Sequence, residues 1–116
     1  MRIVDRATFL AMPAGTLFAK YAPCYYGEIA IKEDSLENDF IYQSLLPNFT
    51  DTTDSGDWAD ALDQMETAGA SHALDYDRCA RDGFFDADQL FAVFEPHDTA
   101  ALIARLQQAQ ADATVR

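Results

Sequence analysis

Apolar and polar positions along this 116-residue chain change period several times, and each change predicts an element. Asp5 stands where its carboxylate accepts from the free backbone amides of a first helical turn, with Val4 and Phe9 at the two positions of a hydrophobic staple. That predicts a short helix over 6–12, stopped by Pro13. Ala14-Gly15 then turns into a β-branched and aromatic run, 16–21, that reads as a strand and ends at Ala22-Pro23. From 25 to 32 the pattern alternates, and the expectation is Ile29 and Ile31 inward with Glu28, Ala30 and Lys32 on a wet face. Glu33-Asp34-Ser35 reads as the turn into a third strand, 39–45, ended by Pro47. Three strands with short polar connections predict an antiparallel meander.

Residues 48–56 are rich in Thr, Asp, Ser and Gly, which compete for their own backbone and favour a loop. Trp58, Ala61, Leu62 and Met65 then recur at i, i+3, i+4 and i+7, predicting a helix over 57–68 with one apolar stripe and Gly69 as its stop. Residues 71–88 show no clear period: loop and hairpin signals alternate there. The run 89–94 is apolar on both sides, as an interior strand is. Pro96-His97-Asp98 opens a last helix with Leu102, Ile103 and Leu106 as its buried stripe, and 109–116 is expected to fray. These elements sum to one α+β domain over 1–116: an antiparallel sheet of about four strands with two or three helices packed on one face.

Charge changes the picture. Residues 33–77 hold twelve carboxylates (Glu33, Asp34, Glu37, Asp39, Asp51, Asp54, Asp57, Asp60, Asp63, Glu66, Asp75 and Asp77) and neither lysine nor arginine. Outside that window acids and bases cancel, so the whole formal charge of -12 belongs to it. From Asp51 to Glu66 an acid falls at every third residue, and the last four fan across about half of the predicted helix at 3.6 residues per turn. Their mutual repulsion costs a few tenths of a kcal/mol per close pair, with no lysine to offset it. Such a surface repels nucleic acid and anionic lipid and attracts a basic partner. The opening residues carry Asp5 and Arg6 where a signal peptide needs its apolar run, no stretch is long and apolar enough for a membrane span, and Cys24 and Cys79 have no close-spaced partner. Reduced thiols and a cytoplasmic location are therefore expected.

No motif accompanies the charge. Cys24, His72, Cys79 and His97 lack the close pairing of a zinc site, so the cysteines are expected as small apolar fillers and His97 as a surface residue. No frame in 75–88 fits a calcium loop, and no phosphate loop, dinucleotide fingerprint or nucleophile elbow occurs. No cofactor is implied. Cys24 sits among Pro23, Tyr25 and Tyr26, a setting that raises a thiol's pKa. Tyr25, Tyr26, Phe84 and Phe85 lie beside glycines in expected turns, where exposed aromatics serve as anchors.

Two stretches, Asp5-Arg-Ala-Thr-Phe-Leu-Ala-Met-Pro-Ala-Gly-Thr-Leu-Phe-Ala-Lys-Tyr21 and Phe94-Glu-Pro-His-Asp-Thr-Ala-Ala-Leu-Ile-Ala-Arg-Leu106, resemble small proteins of phages and prophages over about a quarter of the chain. That resemblance implies kinship with small acidic phage proteins, among them anti-CRISPR and other anti-defence inhibitors that block a basic nucleic-acid channel. It carries over no functional residue. The expectation is a non-enzymatic binding protein that docks Asp51, Asp54, Asp57, Asp60, Asp63 and Glu66, with Glu33, Asp34, Glu37 and Asp39, on a basic nucleic-acid-binding host protein. The alternatives are a self-associating scaffold, or a small enzyme using Cys24 or a carboxylate pair.

Overall fold

Asp5 caps the first helix as its position demands, accepting from the Thr8 amide at 2.8 Å, and the chain around it builds one side of a sheet. The structure, a computed structural model, describes residues 1–114. In chain order the elements are β1 (Arg2–Val4), α1 (Arg6–Leu10), β2 (Leu17–Ala22), β3 (Tyr25–Leu36), β4 (Asp39–Ser44), α2 (Ser55–Ala68), β5 (Ala80–Arg81), β6 (Leu90–Val93) and α3 (Pro96–Thr114). The strands form a single antiparallel sheet in the order β1-β6-β2-β3-β4-β5.

The α+β class and the meander β2-β3-β4 are therefore as the pattern predicts, with more strands than expected. The additions are β1 and β5, of three and two residues, too short to show a period. β6 is the interior strand that its two-sided apolar run requires, inserted between β1 and β2.

The period of β3 is right and its orientation is reversed. Ala30 and Lys32 are buried, whereas Ile29 is 38 % exposed. The reason lies in its neighbours: Ala30 stands opposite Phe18, and Lys32 opposite Tyr42. On that face Phe9, Phe18, Phe40 and Phe91 already fill the space, with the Phe9 and Phe91 rings stacked at 4.0 Å. Only a small side chain and a long one that threads past the rings fit there, and the Lys32 ammonium escapes to the Glu33 carbonyl at 3.0 Å. Nor is 33–35 a turn. β3 runs through it across a register shift, and the chain reverses at Glu37 and Asn38, with Glu37 at φ 46°.

The helices also depart from expectation. α1 inserts Phe9, fully buried, into the aromatic cluster. By contrast, α2 buries only Ala61, and α3 buries no side chain. The stripes Trp58, Leu62, Met65 and Ile103, Leu106 have helical spacing but remain 36 to 57 % exposed. Periodicity shows that a helix is two-sided; it does not show that the fold supplies a cover, and here α1 already occupies the aromatic face. The radius of gyration of 16.6 Å reflects this, against about 13 Å for a compact chain of this length. α3 stays helical to Thr114 rather than fraying from 109; the expectation for 115 and 116 lies outside the described residues.

Residues 71–88 are held over the β4 edge. Phe49 bridges Leu74, the Tyr76 hydroxyl donates to the Leu45 carbonyl at 2.9 Å, and Gln43 donates to the Tyr76 carbonyl. Among the described residues no helix is long and apolar enough to cross a membrane.

Candidate acidic docking surface

α2 begins where Asp54 accepts from the Asp57 amide at 2.8 Å and ends at Gly69, whose φ of 67° closes it in the left-handed region. Only glycine takes that conformation without strain. Asp57 in turn accepts from the Thr53 hydroxyl at 2.8 Å and the Thr53 amide at 3.1 Å, and these bonds hold its carboxyl below the usual range. Two of the predicted acids are thus exposed and also fasten the helix start, where the helix dipole favours negative charge.

Asp60, Asp63 and Glu66 are exposed, and among the described residues none of them forms an ion pair. Asp51 is exposed and meets His72 Nδ1 at 2.8 Å. With Asp57, Asp60 and Gln64 they line a shallow cleft of about 250 Å³. His72 Nε2 is buried without a hydrogen-bond partner. Asp34 and Glu37 are exposed and Glu33 is half-buried, all three near the β3-β4 reversal.

Asp39 does not belong to the surface. It is fully buried, with Arg81 Nε at 2.5 Å, the Gly83 amide at 3.0 Å and Arg6 at 3.9 Å. Burial pushes its carboxyl up, but the Arg81 bond, the Gly83 and Phe40 amides and the Arg81 charge outweigh burial and hold it at about 2. Asp82, also buried, takes Lys20 at 2.6 Å and Arg6 at 3.8 Å. Three bases and two acids therefore converge from α1, β2, β4, β5 and the residue after β5. Sequence reasoning missed this network because its members lie on separate elements and carry no local signal.

That network explains why α2 has no counter-charge. Arg6, Lys20 and Arg81 are engaged there, Lys32 is buried in the sheet, Arg2 pairs with Glu95 and Arg78 with Asp75. Among the described residues no lysine or arginine pairs with Asp54, Asp57, Asp60, Asp63 or Glu66. Beside these acids, Trp58 is 43 % exposed and, with Asp54, Asn48 and Arg78, lines a depression of about 400 Å³. The helix thus shows solvent both an unneutralised acidic side and a partly uncovered apolar one.

Other candidate chemistry is dispersed. Cys24 and Cys79 are exposed rather than buried fillers, and Cys24 occupies the β2-β3 turn at φ 64°. His97 is exposed, as expected. No group of three or more His, Cys, Asp or Glu among the described residues is arranged to hold a metal. Tyr25, Tyr26, Phe84 and Phe85 are exposed. Phe84 lies over the Lys20 ammonium at 4.6 Å and caps a hollow of about 210 Å³ walled by Phe18, Phe40 and Tyr42. No family model, curated protein or solved structure matches the chain.

Proposed function

We propose that this chain is a non-enzymatic binding protein that lays α2 on a basic protein and inhibits it. The observation that carries the reading is the pairing, on one capped helix, of unneutralised Asp60, Asp63 and Glu66 with the uncovered Trp58, Leu62 and Met65. Carboxylates held on a rigid helix stand in for phosphates, steer association with a cationic surface and make it salt-sensitive. Trp58 and Met65 supply the apolar anchor that charge alone lacks, since interfaces take most of their energy from a few aromatic or flexible apolar groups. A basic surface that normally holds nucleic acid has the matching charge. The resemblance to phage and prophage proteins favours a host nucleic-acid-binding protein, such as a CRISPR effector, as that partner.

The test is affinity capture from nuclease-treated host lysate with the wild-type chain, a Trp58→Ala variant and an Asp60→Asn, Asp63→Asn, Glu66→Gln triple variant. The triple variant keeps Asp54 and Asp57, so the helix start is preserved. The reading expects a basic protein that the wild type retains at low salt, releases at high salt, and that both variants lose. Retention of the same proteins by the triple variant overturns it.

A further inference from the structure

We infer that α3 is a self-association element that pairs antiparallel with the α3 of a second copy of this chain. Its 19 residues extend for about 28 Å at 1.5 Å per residue, and no side chain along it is buried. Helices in folded proteins usually pack one face against a neighbour, and the fold covers little of this one. Its composition supplies a seam: Thr99, Leu102, Leu106, Ala109 and Ala113 recur at alternating steps of three and four, the spacing of a coiled-coil interface. Leu106 is 57 % exposed and Leu102 half-exposed, while Ala109 and Ala113 face solvent.

The order of large and small residues selects the occupant and its direction. In an antiparallel pair Leu102 meets Ala113 of the other copy and Leu106 meets Ala109, so each leucine enters the space left by an alanine. Beside the seam, Arg105 and Asp112 lie seven residues apart on one side of the helix. The same antiparallel alignment sets Arg105 of each copy against Asp112 of the other, two complementary ion pairs related by the dyad. A parallel pair instead brings leucine against leucine and sets Arg105 against the neutral Gln110 of the other copy, so that no such ion pair forms. α3 is also nearly neutral: its acids are Asp98, which accepts from the Glu95 amide at 3.0 Å, and Asp112, against Arg105. The helix therefore escapes the repulsion that the acidic window imposes on like copies, and it offers a cationic partner no attraction. The inference rests on α3 and does not depend on what α2 binds.

Sedimentation equilibrium of the full chain at physiological ionic strength, from micromolar to millimolar concentration, tests it. The wild type is expected to pass from monomer to dimer across that range. Leu106→Asp is expected to remain monomeric with unchanged circular dichroism, because Leu106 is exposed and lies outside the aromatic core. Arg105→Asp and Asp112→Arg each set like charges together and are expected to weaken the dimer roughly tenfold; the double variant is expected to recover wild-type association. A wild type that is monomeric throughout, a dimer indifferent to Leu106→Asp, or a double variant no better than either single one overturns the inference.

Discussion

Arg81 Nε lies 2.5 Å from Asp39 Oδ2 and ties the two-residue edge strand β5 to the start of β4. The pair withdraws one acid from the surface and engages one exposed base. It also gives the fold a titratable point. The folded state holds Asp39 at about 2 against an ordinary 3.8, so between those values the unfolded chain binds more protons. Stability is therefore expected to be intact above about pH 4 and to fall as pH drops through that window. Asp5, Asp57 and Asp98, also lowered by hydrogen bonds, act in the same direction. Urea midpoints measured from pH 5 to pH 2 are expected to fall less steeply for Asp39→Asn than for the wild type; equal slopes contradict the assignment.

Lys32 has the same linkage sign at the alkaline end, for the opposite physical reason: there the folded state disfavours the charged form. Burial lowers its pKa from 10.5, against the pull of Asp34 and Glu33. The unfolded chain thus binds more protons between the lowered value and 10.5, and stability from this group rises with pH there. Lys32→Met removes the cost of burying the ammonium and keeps the stem, so it is expected to raise the denaturation midpoint at pH 7. The advantage is expected to shrink as pH approaches 10.5. A midpoint lowered at pH 7 speaks against the buried position.

The stability of the chain is expected to reside in the sheet and α1. Phe9→Ala empties the centre of the aromatic cluster and is expected to cost about 3–5 kcal/mol. At micromolar concentration Leu106→Ala is expected to change stability by less than about 0.5 kcal/mol, as an exposed substitution does. Chemical denaturation of both variants checks the contrast.

Cys24 holds φ at 64° directly after Pro23, the sequence of a turn that favours glycine at its second central position. Cys24→Gly relieves that backbone strain and is expected to stabilise the chain by about 0.5–1 kcal/mol. A destabilised variant, measured by thermal unfolding, contradicts it.

What the sequence made legible was local. Asp5 and Gly69 mark helix ends through bonds made within a few residues, and β6 shows itself by being apolar on both sides. What it concealed was set by neighbours distant in the chain. Ile29 and Ala30 define the two faces of β3, yet which face is inside depends on Phe9, Phe18, Phe40 and Phe91. Asp39 looks like any other acid of the window until Arg81 and Gly83 fold back over it. Trp58, Leu62 and Leu106 carry helical periodicity that says nothing of whether a cover exists.

The reading of α2 as a docking helix is tested most directly by the dissociation constant for the captured basic protein as a function of salt concentration. The wild type is expected to weaken steeply as salt rises, and the Asp60→Asn, Asp63→Asn, Glu66→Gln variant to bind more weakly with a shallower dependence. Equal affinity and equal slope for the two proteins would contradict it.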